Sequence, residues 1–301
     1  MELPQTGHDP VQLVEVLEYL APTAGKVIVD CTTGRGGHSS ALAERLGPTG
    51  TLICLDADPR NMDYARQRLA SAPCRVRFFH ANFGELDDVL KETETPQVDG
   101  ILADLGISTN QLFDEQYGLS FAQSMPLDMR LDPRLGRSAA DLVNHLPERE
   151  LADILFQMAQ ERYSFKIARK IGEARRARPI TTTGELADLV RNAIPTRYGP
   201  PEKIDPATRT FMALRMAVND ELGNLKRLLD AAPRSLKPGG RFAVISFHSM
   251  EDRLVKQAFR TGEEVGALKT LTKKPLTPTD EEIERNPRSR SAKLRVAERI
   301  G

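Results

Sequence analysis

The 301-residue sequence has no tryptophan, only five tyrosines and only three cysteines. So few large aromatic rings argue against a surface built on extensive base stacking. Cys31, Cys54 and Cys74 are an odd set, too far apart for a Cys-x-x-Cys metal motif, and at least two sit inside apolar runs. They read as reduced core thiols of a cytoplasmic protein. Net charge is missing as well, because 42 Lys and Arg meet 42 Asp and Glu. A histone-like chain is excluded, and any contact with a polyanion has to come from local basic patches. No apolar run approaches the roughly 18 residues that a membrane span requires. The opening MELPQTGHDP lacks a basic segment followed by an apolar one, which predicts a soluble chain that is not exported. What is present, 40% hydrophobic and 28% charged residues, is ordinary globular usage. The length suits one large domain or one domain carrying a sizeable insertion.

From Lys26 to Gly106 short apolar runs alternate with helical patterns: KVIVDCT, a helix over residues 38–46, TLICLDAD, a helix through MDYARQRL, then RVRFFHAN and VDGILADLG. Such alternation predicts βαβ units, and strands apolar on both faces predict a parallel sheet covered by helices, an α/β sandwich. Over residues 118–206 no convincing strand occurs. AADLVNHL, one long stretch over 148–177 and GELADLVRNAI show helical spacing, and PTRYGPPEKIDP reads as an exposed loop or hinge returning the chain to the first unit. A long helix is expected over 207–236, opened near Asp205 or Pro206 and closed at LKPGG by Gly239 and Gly240. RFAVISF then resumes the sheet, MEDRLVKQAFR is helical, and LKTLTKK with KLRVAERI suggests an antiparallel pair at one sheet edge. The expected division is 1–117 and 207–301 for the sandwich, with 118–206 as an all-helical insertion.

The string DCTTGRGGHSS follows the first strand and opens a helix, where an open α/β sheet forms its ligand crevice. Gly34, Gly36 and Gly37 allow close backbone approach, but the spacing is G-x-G-G and the dinucleotide fingerprint is incomplete. Asp56 closes the second strand, where a carboxylate can accept hydrogen bonds from ribose hydroxyls. An adenosine-containing ligand fits, either NAD or S-adenosylmethionine. Asp30, Asp56 and Asp104 all fall at strand C-terminal ends, and three converging carboxylates suit a cationic sulfonium and ammonium better than a diphosphate. Phe83, beyond the third strand, puts a ring where adenine would stack.

The strings TGRGGHS, LDADP, DGILADLGIS, PLDMRLDP, PATRTF, LKPGGRFAVISFHSMEDR and NPRSRSAKLRVAER, in this order over almost the whole chain, closely resemble the RsmH (MraW) family of bacterial small-subunit ribosomal RNA cytosine-N4 methyltransferases. The resemblance implies a class I, Rossmann-like methyltransferase sandwich interrupted by a helical, RNA-substrate domain. It also implies S-adenosyl-L-methionine as methyl donor and a cytosine in the decoding centre of 16S ribosomal RNA as acceptor, within the small ribosomal subunit. Carried onto matching positions, the donor-binding residues are Gly36, Gly37, His38, Asp56, Phe83, Asp104 and Gln111. Thr33, Asn110, Ser124, Met125 and the run AQERY at 159–163 depart from the family pattern, mostly outside the donor motifs.

An exocyclic cytosine amine is a poor nucleophile because its lone pair is delocalised into the ring, so catalysis has to localise that pair with fixed acceptors. The loop from Asp104 to Ser108 stands where many amino methyltransferases place those acceptors; a purely donor-binding Asp104 is the alternative. His248, at the end of the resumed strand, is a candidate proton acceptor, with a structural role the alternative. His8, His80 and His145 read as structural or surface residues, and no His/Cys/Asp spacing supports a metal site. Arg162, Lys166, Arg169, Lys170, Arg175, Arg176 and Arg178 form one basic patch, and Arg285, Arg288, Arg290, Lys293 and Arg295 a second. At least one is expected to meet RNA, with Tyr163 and Tyr198 as stacking candidates. The rival classes are an NAD-dependent dehydrogenase and a non-catalytic RNA-binding protein of ribosome assembly.

Overall fold

The structure, a computed structural model, describes residues 10–194 and 205–301. His8, Tyr198 and most of the loop expected over 195–206 lie outside the described residues. The elements run α1 (Leu13–Leu20), β1 (Val27–Asp30), α2 (Gly37–Leu46), β2 (Thr51–Asp56), α3 (Pro59–Arg68), β3 (Arg75–His80), α4 (Leu86–Glu92) and β4 (Val98–Asp104). Next come α5 (Thr109–Phe113), α6 (Ala139–His145), α7 (Glu148–Ala159), α8 (Ser164–Arg175), α9 (Thr183–Ala193) and α10 (Ala207–Val218). The chain ends with α11 (Glu221–Ser235), β5 (Leu236–Ser246), α12 (Ser249–Glu264), β6 (Leu268–Thr270), α13 (Asp280–Arg285) and β7 (Lys293–Arg299). Two compact units result: Met1–Gly106 with Leu222–Gly301, and Ile107–Glu221. The second is wider at both ends than the 118–206 read from the sequence, because α5, α10 and the segment between α5 and α6 belong to it. No helix among the described residues is long and apolar enough to cross a membrane.

The first unit is built on a seven-stranded sheet in the order β3-β2-β1-β4-β5-β7-β6. The strands from β3 to β5 are mutually parallel, and β7 runs antiparallel to both β5 and β6. Alternate side chains leave a strand on opposite faces. Ile28, Leu52, Leu102 and Ala243 therefore join a core with α1 and α2, whereas Val29, Ile53, Ile101 and Val244 join one with α4, α11 and α12. Both faces are covered, which is why these strands read as continuous apolar runs. All three cysteines are buried and free. The turn expected at Gly239 instead lies within β5, where Gly239 has φ +78° and the pairing of β4 with β5 shifts register between Val98 and Gly100.

The second unit buries Leu151, Leu155, Ile167, Ile171, Leu186, Val190, Phe211 and Leu214 among its helices. Two helices expected to be continuous are broken. Gln160 adopts a left-handed φ of +51° after α7, and the Glu161 carboxylate accepts the Tyr163 N–H at 2.8 Å as α8 begins. Asp220 does the same at φ +46° between α10 and α11. There the Asn219 side chain donates to Met129 O at 2.8 Å and accepts from Leu131 N at 2.9 Å, tying the end of α10 to the PLDMRLDP segment. In that segment Arg130 grips Asp128 with two bonds of 2.7 and 2.8 Å, and Met129 N donates to Tyr117 O at 2.7 Å.

Candidate active site

β1, β2 and β4 end on Asp30, Asp56 and Asp104, and β1 lies between the other two in the sheet. Between β1 and β4 the connections diverge to opposite sides, and the crevice of an open α/β sheet forms at such a point. The three carboxyls have different situations. Asp30, 1% exposed, accepts from Ser39 Oγ at 2.6 Å and from Thr32 N at 3.2 Å, so it fastens the loop that follows it to α2. Burial pushes its pKa up to about 6. Asp56 accepts Gly34 N at 2.6 Å and Asp58 N at 2.8 Å, one on each oxygen, and burial pushes it up to about 7. The Asn61 side chain also hydrogen-bonds this carboxylate, which leaves one of its four acceptor positions for a hydroxyl. Asp104 is held well above the usual carboxylate range by burial and by the charges of Asp30, Glu251 and Glu282. Its Oδ2 lies 3.6 Å from His38 Nδ1, while its Oδ1 is buried without a hydrogen-bond partner among the described residues.

The glycine turn fixes these groups. Gly34 at φ +54° and Gly36 at φ +80° occupy the left-handed region, which a side chain would strain. Gly36 caps α2 and Gly37 is its first residue. His38, 5% exposed, is oriented by Nε2 against Val11 O at 2.9 Å. Thr32 Oγ1 accepts the Asp104 N–H at 2.6 Å, which couples the turn to β4. Thr32 and Ser39 were not singled out from the sequence, since only the tertiary hydrogen bonds give them a role. Phe83 lies half-buried in a 3-10 turn after β3 and packs against the core under α4 and α11. His80 bonds Ala57 O through Nε2 at 3.0 Å and His145 is exposed, both as expected.

Ser108 and Gln111 fall in the second unit. They form a capping box on α5: Ser108 Oγ accepts Gln111 N at 3.2 Å and Gln111 Oε1 accepts Ser108 N at 3.0 Å. His248 caps α12 in the same manner, its Nδ1 accepting Glu251 N at 3.4 Å while Glu251 Oε2 accepts Phe247 N at 3.0 Å. Nε2 sits 3.0 Å from Glu251 Oε1 and makes no hydrogen bond among the described residues. The cap engages the ring's lone pair, so taking a proton at Nδ1 requires the cap to open. His248→Asn keeps a good capping residue and loses the imidazole, whereas His248→Ala loses both and costs about 1 kcal/mol of stability. We expect the Asn variant to hold its melting temperature and stay within a few-fold of wild-type turnover. A folded, donor-binding Asn variant with turnover down a hundredfold would favour the proton-acceptor role over the structural one.

The dinucleotide-binding doubly wound sheet is mostly parallel, with the order 3-2-1-4-5-6 and no seventh strand inserted before the edge. Here β7 enters antiparallel between β5 and β6, and three carboxyls close the neighbouring strands β1, β2 and β4. Strand order and acidic strand ends together define a class I methyltransferase, and the dehydrogenase alternative falls away. The sequence matches the profile of the MraW methylase family over residues 5–300. It is 47% identical over 299 residues to ribosomal RNA small subunit methyltransferase H of Acidobacterium capsulatum, covering 97% of this chain and 98% of that one. The proteins of the same name from Solibacter usitatus and Geobacter sulfurreducens are 48% and 46% identical, covering 97% and 98% of this chain and 99% of each of theirs. The chain belongs to the MraW methylase family.

Proposed function

We propose that this protein transfers a methyl group from S-adenosyl-L-methionine to the exocyclic N4 amine of a cytosine in the decoding centre of 16S ribosomal RNA. The relatives' shared name supports the RNA substrate. The observation that carries the donor is the buried, unpartnered Oδ1 of Asp104 among further carboxyls, an arrangement that a cationic ligand satisfies and a diphosphate opposes. Gly36, Gly37, His38, Asp56, Phe83, Asp104 and Gln111 are the residues we assign to holding it. When bound, the donor would supply a methyl carbon on a sulfonium, open to attack by an amine lone pair with a neutral thioether as leaving group and the surplus amine proton released.

The chain's own part is to hold the target amine and keep its lone pair localised. We assign this to the Asp104–Ser108 loop, whose backbone carbonyls are acceptors for the amine hydrogens. Ser108 is placed by its capping box, so its hydroxyl oxygen already receives one N–H. The target base has to leave its stack before its amine can meet a donor in a crevice.

The experiment is transfer of tritiated methyl groups to small ribosomal subunits lacking the modification, with the labelled nucleotide mapped. Label on a decoding-centre cytosine is expected, and Ser108→Ala is expected to slow single-turnover transfer about tenfold. Label on another nucleotide would move the acceptor assignment. Absence of transfer, with RNA binding intact, would favour a non-catalytic assembly protein.

A further inference from the structure

The basic run over residues 162–178 is continuous in sequence, but the structure divides it. In its C-terminal half Arg175 donates to Val143 O and Leu146 O at 2.7 Å each, Arg176 pairs with Glu148 at 3.3 Å and Arg178 with Glu185 at 2.6 Å. Those three side chains tie α8 to its neighbours. In the N-terminal half the only acidic partner among the described residues is Glu173, 3.7 Å from Arg169. Arg162, Lys166 and Lys170 are exposed with no acidic partner among the described residues, and Lys166 lies 5.7 Å over the Tyr163 ring. Beside them Phe165 is 67% exposed, the most exposed aromatic side chain among the described residues.

Helical spacing places Phe165, Lys166, Arg169 and Lys170 on one stripe of α8, opposite the buried Ile167, Ala168 and Ile171. An exposed ring among unneutralised cations is the arrangement that binds single-stranded nucleic acid: the ring takes a base and the cations take the adjoining phosphates. A protein partner of ordinary composition gains nothing from the cations, and a membrane needs a broader apolar face than one ring.

We propose that the N-terminal half of α8 is an RNA-docking surface, with Phe165 stacking an unpaired base and Lys166 and Lys170, with Arg162, neutralising the flanking phosphates. This rests on the RNA-substrate reading above and names the surface that serves it. Tyr163, the ring expected from the sequence to stack, is instead half-buried against the helical core.

The test measures binding of protein-free 16S ribosomal RNA and of intact small subunits to the full chain, over a salt series. Phe165→Ala is expected to weaken binding of both about tenfold, and Phe165→Tyr to restore it. Lys166→Gln with Lys170→Gln is expected to flatten the dependence of log affinity on log salt by about 0.7 per lysine. Melting temperature and donor affinity should not move, since these side chains are exposed. Phe165→Ala binding RNA within twofold of wild type would overturn the proposal. A loss seen with subunits but not with protein-free RNA would also overturn it, making the partner a ribosomal protein. Wild-type methyl transfer, measured in parallel, tests the parent reading separately: its failure with Phe165-dependent RNA binding intact would remove the acceptor assignment and leave the surface standing.

Discussion

Asp104→Asn is expected to weaken affinity for S-adenosylmethionine about 150-fold and, in the same protein, to raise the thermal stability of the ligand-free form. Removing one member of a buried, hydrogen-bonded charge pair costs about 2–5 kcal/mol of binding, and about 3 kcal/mol corresponds to that loss. The opposite sign for stability follows from the absence of a partner on Oδ1 among the described residues and from the nearby charges of Asp30, Glu251 and Glu282. With its folded-state pKa raised above the unfolded value, the native state of Asp104 holds its proton longer than the unfolded chain does. Its contribution to stability is therefore full below pH about 4 and is lost as pH rises toward its folded pKa. Asp30 and Asp56, raised to about 6 and about 7, act in the same direction. An amide does not titrate, so the melting-temperature gap between Asp104→Asn and wild type should widen from pH 4 upward. Donor affinity should move the other way in the wild type, strengthening between pH 5 and 8 as the carboxyls ionise, with a proton released on binding. Calorimetry in buffers of different ionisation enthalpy reads both quantities. An Asn variant that binds the donor like wild type would remove Asp104 from the site, and one that melts lower would show its charge to be structurally satisfied.

The strands were legible because both faces of each are buried: Ile28 and Val29, or Leu52 and Ile53, serve opposite cores, so apolar residues run on without alternation. The acids at their ends were legible for a related reason, since a charged residue closing such a run must lie at the rim. What separates the three acids was not. Asp30 is occupied by Ser39 and Thr32 and Asp56 by backbone N–H groups, and these bonds join residues distant in sequence or depend on loop conformation. The helix breaks at Gln160 and Asp220 were missed because neither is a glycine or proline and apolar periodicity continues on both sides. Two local roles were recoverable: Ser108-x-x-Gln111 is a capping-box pattern at the head of a helix, and the Glu three residues past His248 completes another. The basic run shows the limit of charge counting, because pairing by Glu148 and Glu185 across helices is invisible along the chain.

Gly118→Ala is expected to destabilise the helical unit by about 3 kcal/mol, through conformation and contact together. Gly118 has φ +61°, and a Cβ there would stand 1.9 Å from Pro126 O and 3.1 Å from Asp128 N. Those atoms are backbone, so no side-chain rotation relieves the clash. Nor can the segment shift freely: Met129, at φ +65° and 1% exposed, is held by Tyr117 O on one side and by Asn219 on the other, and Ala139 N donates to Asp128 O at 2.6 Å. The neighbours of this knot are the ends of α6 and α10, so displacing Pro126 loosens the seating of both. A loss of this size lowers the melting temperature by roughly 10 °C or more in a unit of about a hundred residues. Gly136, where a Cβ would meet nothing within 4 Å, is the matched control and should tolerate Ala within about 0.5 kcal/mol. Thermal denaturation followed by circular dichroism compares the two. Equal melting temperatures would mean that the Tyr117–Met129 segment yields more easily than its hydrogen bonds imply, and the knot would not be what holds α6 and α10 in place.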